Sequence, residues 1–391
     1  MVDVVSRATA DSPFASANGW GRRVFDCRCG RPVFFRNSAC LACGAELGFD
    51  PELRELLPLE AVEGTGELRA SGEDRSAMRY RRCANHTMAA ACNWLVRTDD
   101  TCSPLCRSCR LNRTVPDLSD EANARLWHGT EVSKRRLVAL LLDLGLPVRS
   151  RVCEDSASGL AFDFLRSPPG GPPVTTGHAD GIITLDVEEA DPSRRESRRE
   201  KLGERYRTVL GHLRHEVGHY YWMRLVENSG WLDGFRKVFG DERDSYQEAL
   251  QRHYGNGPPA DWQTRHVSAY ASAHPWEDWA ETWAHYLHML DTISTASGVG
   301  VEPAGVDAHF DLFTADVLDP SAPEDPQFLS FVNGWVVLTF ALNELSRSMG
   351  HPDYYPFVLS GTAVAKLHFV HRVIAAAGGT GEARQDGTAS P

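Results

Sequence analysis

The chain has 391 residues, 42% of them apolar, with ten Trp and sixteen Phe. That is enough for two or three cored domains and excludes a disordered chain. A formal net charge of −12 argues against a protein built mainly to hold nucleic acid, because phosphate neutralisation needs a positive surface.

The N-terminus (MVDVVSRATADSPF) has no apolar signal-peptide core, and no apolar run reaches membrane-spanning length. We therefore expect no membrane partner and a cytoplasmic setting, in which the ten Cys are thiols or metal thiolates. Nine of them fall between Cys27 and Cys109, and the tenth is Cys153. This predicts a Cys-rich module to about Arg113, then a larger domain nearly free of Cys.

Cys27, Cys29, Cys40 and Cys43 form CxC, ten intervening residues and CxxC. Two close thiolate pairs across a short loop suit a tetrahedral Zn²⁺ site. The VFF run, Val33 to Phe35, can then be a strand of a zinc ribbon. A linker-like patch, Glu63 to Ser76, is expected to divide the module in two. Beyond it, Cys83, Cys92, Cys106 and Cys109 can make a second Cys₄ site, with Cys102 and His86 as alternates. Neither set leaves an open coordination position, so both are read as structural zinc, with iron the less favoured metal. Arg79, Arg81, Arg82, Arg97, Arg107, Arg110 and Arg113 give this region a basic patch within an acidic chain.

Downstream, KRRLVALLLDLG from Ser133 predicts a helix that stops at Gly145, with Pro147 behind it. A loop at 167–173 precedes GIITLDV, read as a β-strand, and an acidic turn at 188–192. A long helix is expected over about Arg198–Val226, with others at Arg243–His253, Pro275–Leu290, Pro326–Ser348 and Phe357–Ala376. The run WVVLTFAL inside the fourth of these reads as buried. The expected domains are 1–62 and 77–115 for the two Cys units, 120–377 for the main domain, and 378–391 for a disordered tail.

The long helix carries HEVGH, residues 215–219. His215 and His219, four apart, project from one helix face and can share a metal. Glu216 lies beside that face, where it can deprotonate a water as the water attacks a carbonyl carbon. His212, one turn earlier, can also face the metal. A third ligand is needed, and the metzincin extension is absent after His219. It should be a distant carboxylate. In AHPWEDWAETWAHYLHML, Pro275 can open a helix on which Glu277 and Glu281 lie one turn apart. Glu277 is the chosen ligand. Glu281 can orient a ligand His through its free ring nitrogen, with Asp278 the competitor for that role.

With CxCG…CxxCG, CANHTMAAACNW, LCRSCRLNRTVPDLS, TTGHADGIITLDVEEAD, YRTVLGHLRHEVGHYYW and AYASAHPWEDWAETWAHYLHMLD in place, the chain resembles bacterial zinc-binding metallopeptidases with an N-terminal zinc ribbon. The resemblance runs from about Phe25 to Val373. It implies an α+β protein: a zinc-ribbon-like module, then a mostly helical, gluzincin-like zincin domain with a small sheet. It further implies Glu277 as zinc ligand and Glu281 beside it. Tyr270, at the offset of a transition-state tyrosine in a relative, is implied as an oxyanion stabiliser. GIITLDV resembles the zincin edge strand that binds peptide substrates as an added strand. His178, His212 and His285 lie in resembling segments and receive no catalytic role.

The leading expectation is a peptidase acting on a peptide or protein, with one catalytic and two structural Zn²⁺ ions. The alternatives are a zinc-stabilised adaptor binding protein or nucleic acid, and a zinc amidohydrolase acting on a non-peptide amide.

Overall fold

The computed structural model describes residues 23–72, 77–168, 170–302, 305–306 and 309–382. Residues 1–22 of the first expected domain, 73–76 of the expected linker and 383–391 of the expected tail lie outside these. The chain divides into two compact units, Arg23–Arg224 and Leu225–Thr380. The protein is α+β, with a Cys-rich ribbon module and a helical C-terminal region, as expected.

The first unit opens on a hairpin, β1 (Val24–Asp26) against β2 (Pro32–Phe34), with the first Cys pair in its turn. A five-stranded antiparallel sheet follows in chain order: β3 (Glu46–Asp50), β4 (Glu55–Ala61), β5 (Leu68–Ala70), β6 (Tyr80–Arg82) and β7 (Leu95–Arg97). The expected linker is therefore a correction. Its Leu68 and Ala70 pair with Ala61 and Leu59 of β4, and one sheet joins the two Cys units. The physical reason is burial: Ala70, Leu57, Leu59, Tyr80 and Leu95 form one apolar cluster, which the Gly- and Glu-rich flanks conceal in the sequence. Phe25 and Phe35 pack edge-on against Phe49, Phe35 packs edge-on against Trp94, and Trp94 is tilted against Phe49.

A second sheet has the order β10-β11-β9-β8. In it β8 (Asn112–Thr114), β9 (Ala161–Leu165) and β11 (Ile182–Asp186) run parallel, and β10 (Gly177–Ala179) is antiparallel to β11. GIITLDV is thus an interior strand and not the edge. The reversal comes from Asp180 and Gly181, with φ of 47° and 80°, which make a tight turn and fold GHA back as the edge strand β10. Gly181 is required twice over, since a Cβ there would also lie 2.6 Å from the Gly159 carbonyl oxygen.

The helix α1 (Glu121–Asp143) is capped by Asp120 and packs on α3 (Val209–Tyr221). The single long helix expected before Val226 is two. The first, α2 (Pro192–Leu202), begins with Pro192 behind an Asp191 cap and ends at Gly203 in the left-handed region, φ 65°. Thr208 Oγ1 then accepts from the Gly211 amide at 2.9 Å and starts α3 afresh. It passes into a π-turn at Trp222–Val226.

The second unit is helical: α4 (Leu232–Phe239), α5 (Tyr246–Asn256), α6 (Trp262–Arg265), α7 (Pro275–Gly298), α8 (Pro326–Ser348) and α9 (Gly361–Glu382). Phe235, Phe239, Trp279 and Phe369 interlock at its core. The start of α7 follows the sequence closely: Pro275 takes the first position, and the His274 ring nitrogen accepts from the Trp276 amide at 3.1 Å. Helix α9 continues six residues past its expected end at Ala376, because Gly378 and Gly379 weaken a helix without ending it. The run in α8 buries Trp335, Leu338 and Thr339 only, while Phe340 is exposed. Over 23 residues α8 is long and apolar enough, by length and composition, to cross a membrane, contrary to expectation.

Candidate metal centres

Both Cys sets assemble as read: Cys27, Cys29, Cys40 and Cys43, and Cys83, Cys92, Cys106 and Cys109, with all sulfurs of a set within 4.8 Å of one another. A tetrahedron of sulfurs about 2.3 Å from a zinc ion has edges of roughly 3.8 Å. The observed contacts are 3.7 Å for Cys27–Cys43, 3.8 Å for Cys29–Cys40 and 3.7 Å for Cys92–Cys106. The donor sets fit zinc.

The first set is half exposed. Burial raises the Cys27 thiol to about 12, whereas the amides of Cys43 and Ala42 hold Cys40 at about 6. The second set is wholly buried, so its negative charge must be offset from within. Arg135 of α1 serves this. Burial works to lower it, yet Cys92 and Glu131 outweigh burial and keep it raised. The alternates fall away: His86 Nδ1 bonds the Cys92 carbonyl at 2.9 Å, and Cys102 Sγ lies against the Cys153 carbonyl.

On α3, Leu213, Val217, Tyr220 and Tyr221 bury one face and turn the His pair to the other. The Nε2 atoms of His215 and His219 are 3.2 Å apart, with ring centroids at 4.9 Å. Two nitrogens about 2.0–2.1 Å from one tetrahedral ion would be roughly 3.3 Å apart, so the pair fits a shared zinc. Glu216 is 8% exposed. His178, given no role from sequence, sits on the edge strand β10 with its ring stacked on His219 at 6.4 Å. Burial, with His219 beside it, lowers His178 to about 4, so it is neutral near pH 7. His212 approaches Glu189 at 3.7 Å, where it joins Arg198 and Arg207 around that carboxylate.

In the second unit, Glu277 and Asp278 lie in the first turn of α7, where the helix dipole favours negative charge. Glu277 is 1% exposed and accepts a 2.6 Å hydrogen bond from Tyr246 Oη. Tyr246, on α5, was not foreseen; nothing in its local spacing links it to Glu277, 31 residues on. Tyr270 is in a 3₁₀ turn ahead of α7 rather than on the same helix. Burial raises its phenol first, and Glu277 adds to this, so it keeps its proton at neutral pH. His253 packs edge-on against it at 5.8 Å. Glu281 accepts from Ser268 Oγ at 2.6 Å. Asp278 accepts from Lys366 Nζ at 2.5 Å and lies 3.0 Å from His266 Nδ1, which ties α7 to α9. His285 bonds Tyr355 Oη at 2.5 Å within the aromatic core.

Most of the basic patch is paired with carboxylates. Arg82, Arg97 and Arg107 meet Glu46, Asp50 and Glu52; Arg110 meets Asp100 and Glu154; Arg113 meets Asp163. Arg81 bonds the carbonyls of Asp100 and Ser103. Charges committed in this way are poorly placed to bind phosphates.

Residues 123–373 match the model of a family described as "Putative zinc-binding metallo-peptidase", and residues 24–120 match a zinc-ribbon domain. The ribbon match spans both Cys sets, in keeping with their shared sheet. Uncharacterised proteins of Mycobacterium bovis and of two strains of Mycobacterium tuberculosis are each 42% identical over 354 residues, covering 90% of this chain and 95% of theirs. No solved structure matches.

Proposed function

This chain belongs to the "Putative zinc-binding metallo-peptidase" family, and from that premise we propose that it hydrolyses peptide bonds with one catalytic zinc ion, held by His215, His219 and Glu277. Two further zinc ions, in the Cys sets, are structural. The observation that carries the reading is the 3.2 Å approach of the two Nε2 atoms, with Glu216 adjacent to His215 in the same helix.

A zinc ion in this position supplies Lewis acidity, polarising a substrate carbonyl and bringing the pKa of water to about 7. Glu216 takes the proton of the attacking water and delivers it to the departing amine nitrogen. Tyr270, protonated at neutral pH, donates a hydrogen bond to the oxyanion that develops on the carbonyl. Tyr246 orients Glu277 through its 2.6 Å bond. Neutral His178 braces the His219 ring.

The substrate is a peptide in extended form. Support for this moves from GIITLDV to β10, whose outer edge is open in the sheet order and which packs on α3. An added strand there would run beside the His pair. The cytoplasm is the proposed compartment, in keeping with Cys sets suited to hold metal as thiolates.

The test is Glu216→Gln. The variant should keep three zinc ions per chain and lose casein cleavage, and His215→Ala with His219→Ala should lower the count to two. Retained cleavage by Glu216→Gln overturns the assignment of the base.

A further inference from the structure

Cys102 and Cys153 belong to neither metal set, and both are exposed. Although 51 residues apart, they meet. Cys102 Sγ donates to the Cys153 carbonyl oxygen at 3.5 Å, and the Cys153 side chain is near enough to help raise the Cys102 thiol. The approach is held by Arg110, a guanidinium only 4% exposed. Its Nη1 donates to Glu154 Oε1 at 3.2 Å, and its Nη2 to Asp100 and to the Leu105 carbonyl.

Each carboxylate in turn fixes a loop. Asp100 Oδ1 accepts the Cys102 amide at 3.0 Å, and Glu154 Oε2 accepts the Ser150 amide at 2.6 Å. Ser150 Oγ closes the ring by donating to the Arg110 carbonyl at 2.6 Å. One buried cation therefore positions the residue two before Cys102 and the residue after Cys153. A chance meeting of surface thiols would not need such a frame, and a bare charge clamp would not need the thiols.

We propose that Cys102 and Cys153 form a reversible disulfide, a modification site that locks the loop at 150–159 onto the second zinc module. The two sulfurs together give up two electrons and two protons to a low-molecular-weight disulfide, which departs as two thiols. One protein sulfur first displaces a thiol from that oxidant, and the other then displaces the second. Burial, and then the neighbouring thiol, raise Cys102 to about 11, so exchange is faster in mildly alkaline buffer.

The bond would reach the back of the proposed active site. The Ser158 carbonyl accepts from Tyr220 Oη at 3.1 Å, and Tyr220 follows His219 on α3. The Gly181 carbonyl, at the β10–β11 turn, accepts the Ala161 amide at 2.9 Å, just beyond the same loop. Oxidation thus stiffens the support of α3 and β10 without touching a metal ligand. The disulfide is independent of any peptidase activity.

The experiment uses the full-length, zinc-loaded protein and oxidised glutathione, with intact mass, zinc content and tryptic mapping without reductant. The wild type should lose two hydrogens at unchanged zinc content. Peptide 98–107 should be joined to peptide 152–166, and a thiol reductant should separate them. Cys102→Ser and Cys153→Ser should each abolish the link, and amides of 152–159 should exchange more slowly in the oxidised wild type. Peptide 98–107 also contains Cys106, so a link that persists in Cys102→Ser overturns the pairing. So does a stable mixed disulfide on Cys153, or complete alkylation of both thiols after oxidant.

Discussion

Lys366→Met tests how α7 is held in place. Lys366 is 4% exposed and Asp278 1%, and their charges meet at 2.5 Å. At that separation and an effective dielectric of about 20, the attraction is roughly 7 kcal/mol, most of it offset by the desolvation of both ions. Removing the lysine forfeits the attraction and leaves Asp278 buried without its cation, which costs about 3–5 kcal/mol. Against a typical stability of about 5–15 kcal/mol, this is a large fraction. We expect a fall of about 10 °C in Tm, and a matching loss in urea unfolding followed by tryptophan fluorescence. Asp278→Asn combined with Lys366→Met should recover much of that loss, because no buried charge is then stranded. Additive single and double variants, or a Lys366→Met cost within about 1 kcal/mol of zero, would refute the charge-pair account. The same series separates Asp278 from the metal: zinc content should stay at wild-type level throughout.

Tyr246→Phe removes the 2.6 Å hydrogen bond to Glu277 and should weaken the catalytic zinc by roughly 10–100-fold, with the two Cys-held ions retained in a competitive chelator titration. Cys106→Ser opens a wholly buried Cys₄ set and should release one zinc ion and abolish cooperative folding of the ribbon module, read by metal analysis and hydrogen exchange. His368 and His371 are both lowered from the usual 6.5, chiefly by burial, with Asp325 opposing. Below pH 6.5 the unfolded chain binds protons that the folded chain resists. Stability should therefore be full above that pH and fall progressively as the pH drops through and below it. His371→Gln should flatten the fall in urea titrations at successive pH values.

Sequence by itself determined the groupings that depend on short spacings. CxC and CxxC pairs and the two His of HEVGH are local patterns, and helix or turn geometry brings each pair of donor atoms together. The start of α7 was legible because Pro275 is suited to the first helical position. Tertiary structure decided what pairs with what. A stretch that reads as a linker became β5, because Leu68 and Ala70 gain burial only when β4 and β6 flank them. GIITLDV moved from edge to interior because a two-residue turn, Asp180–Gly181, set β10 beside it. Most of the arginine patch, conspicuous along the chain, proved to be paired with carboxylates as distant as 55 residues, a neutralisation no local pattern reveals. Tyr246, His178 and the meeting of Cys102 with Cys153 belong to the same class. Each depends on loop closures that bring remote segments together, and their geometry is fixed by packing rather than by periodicity.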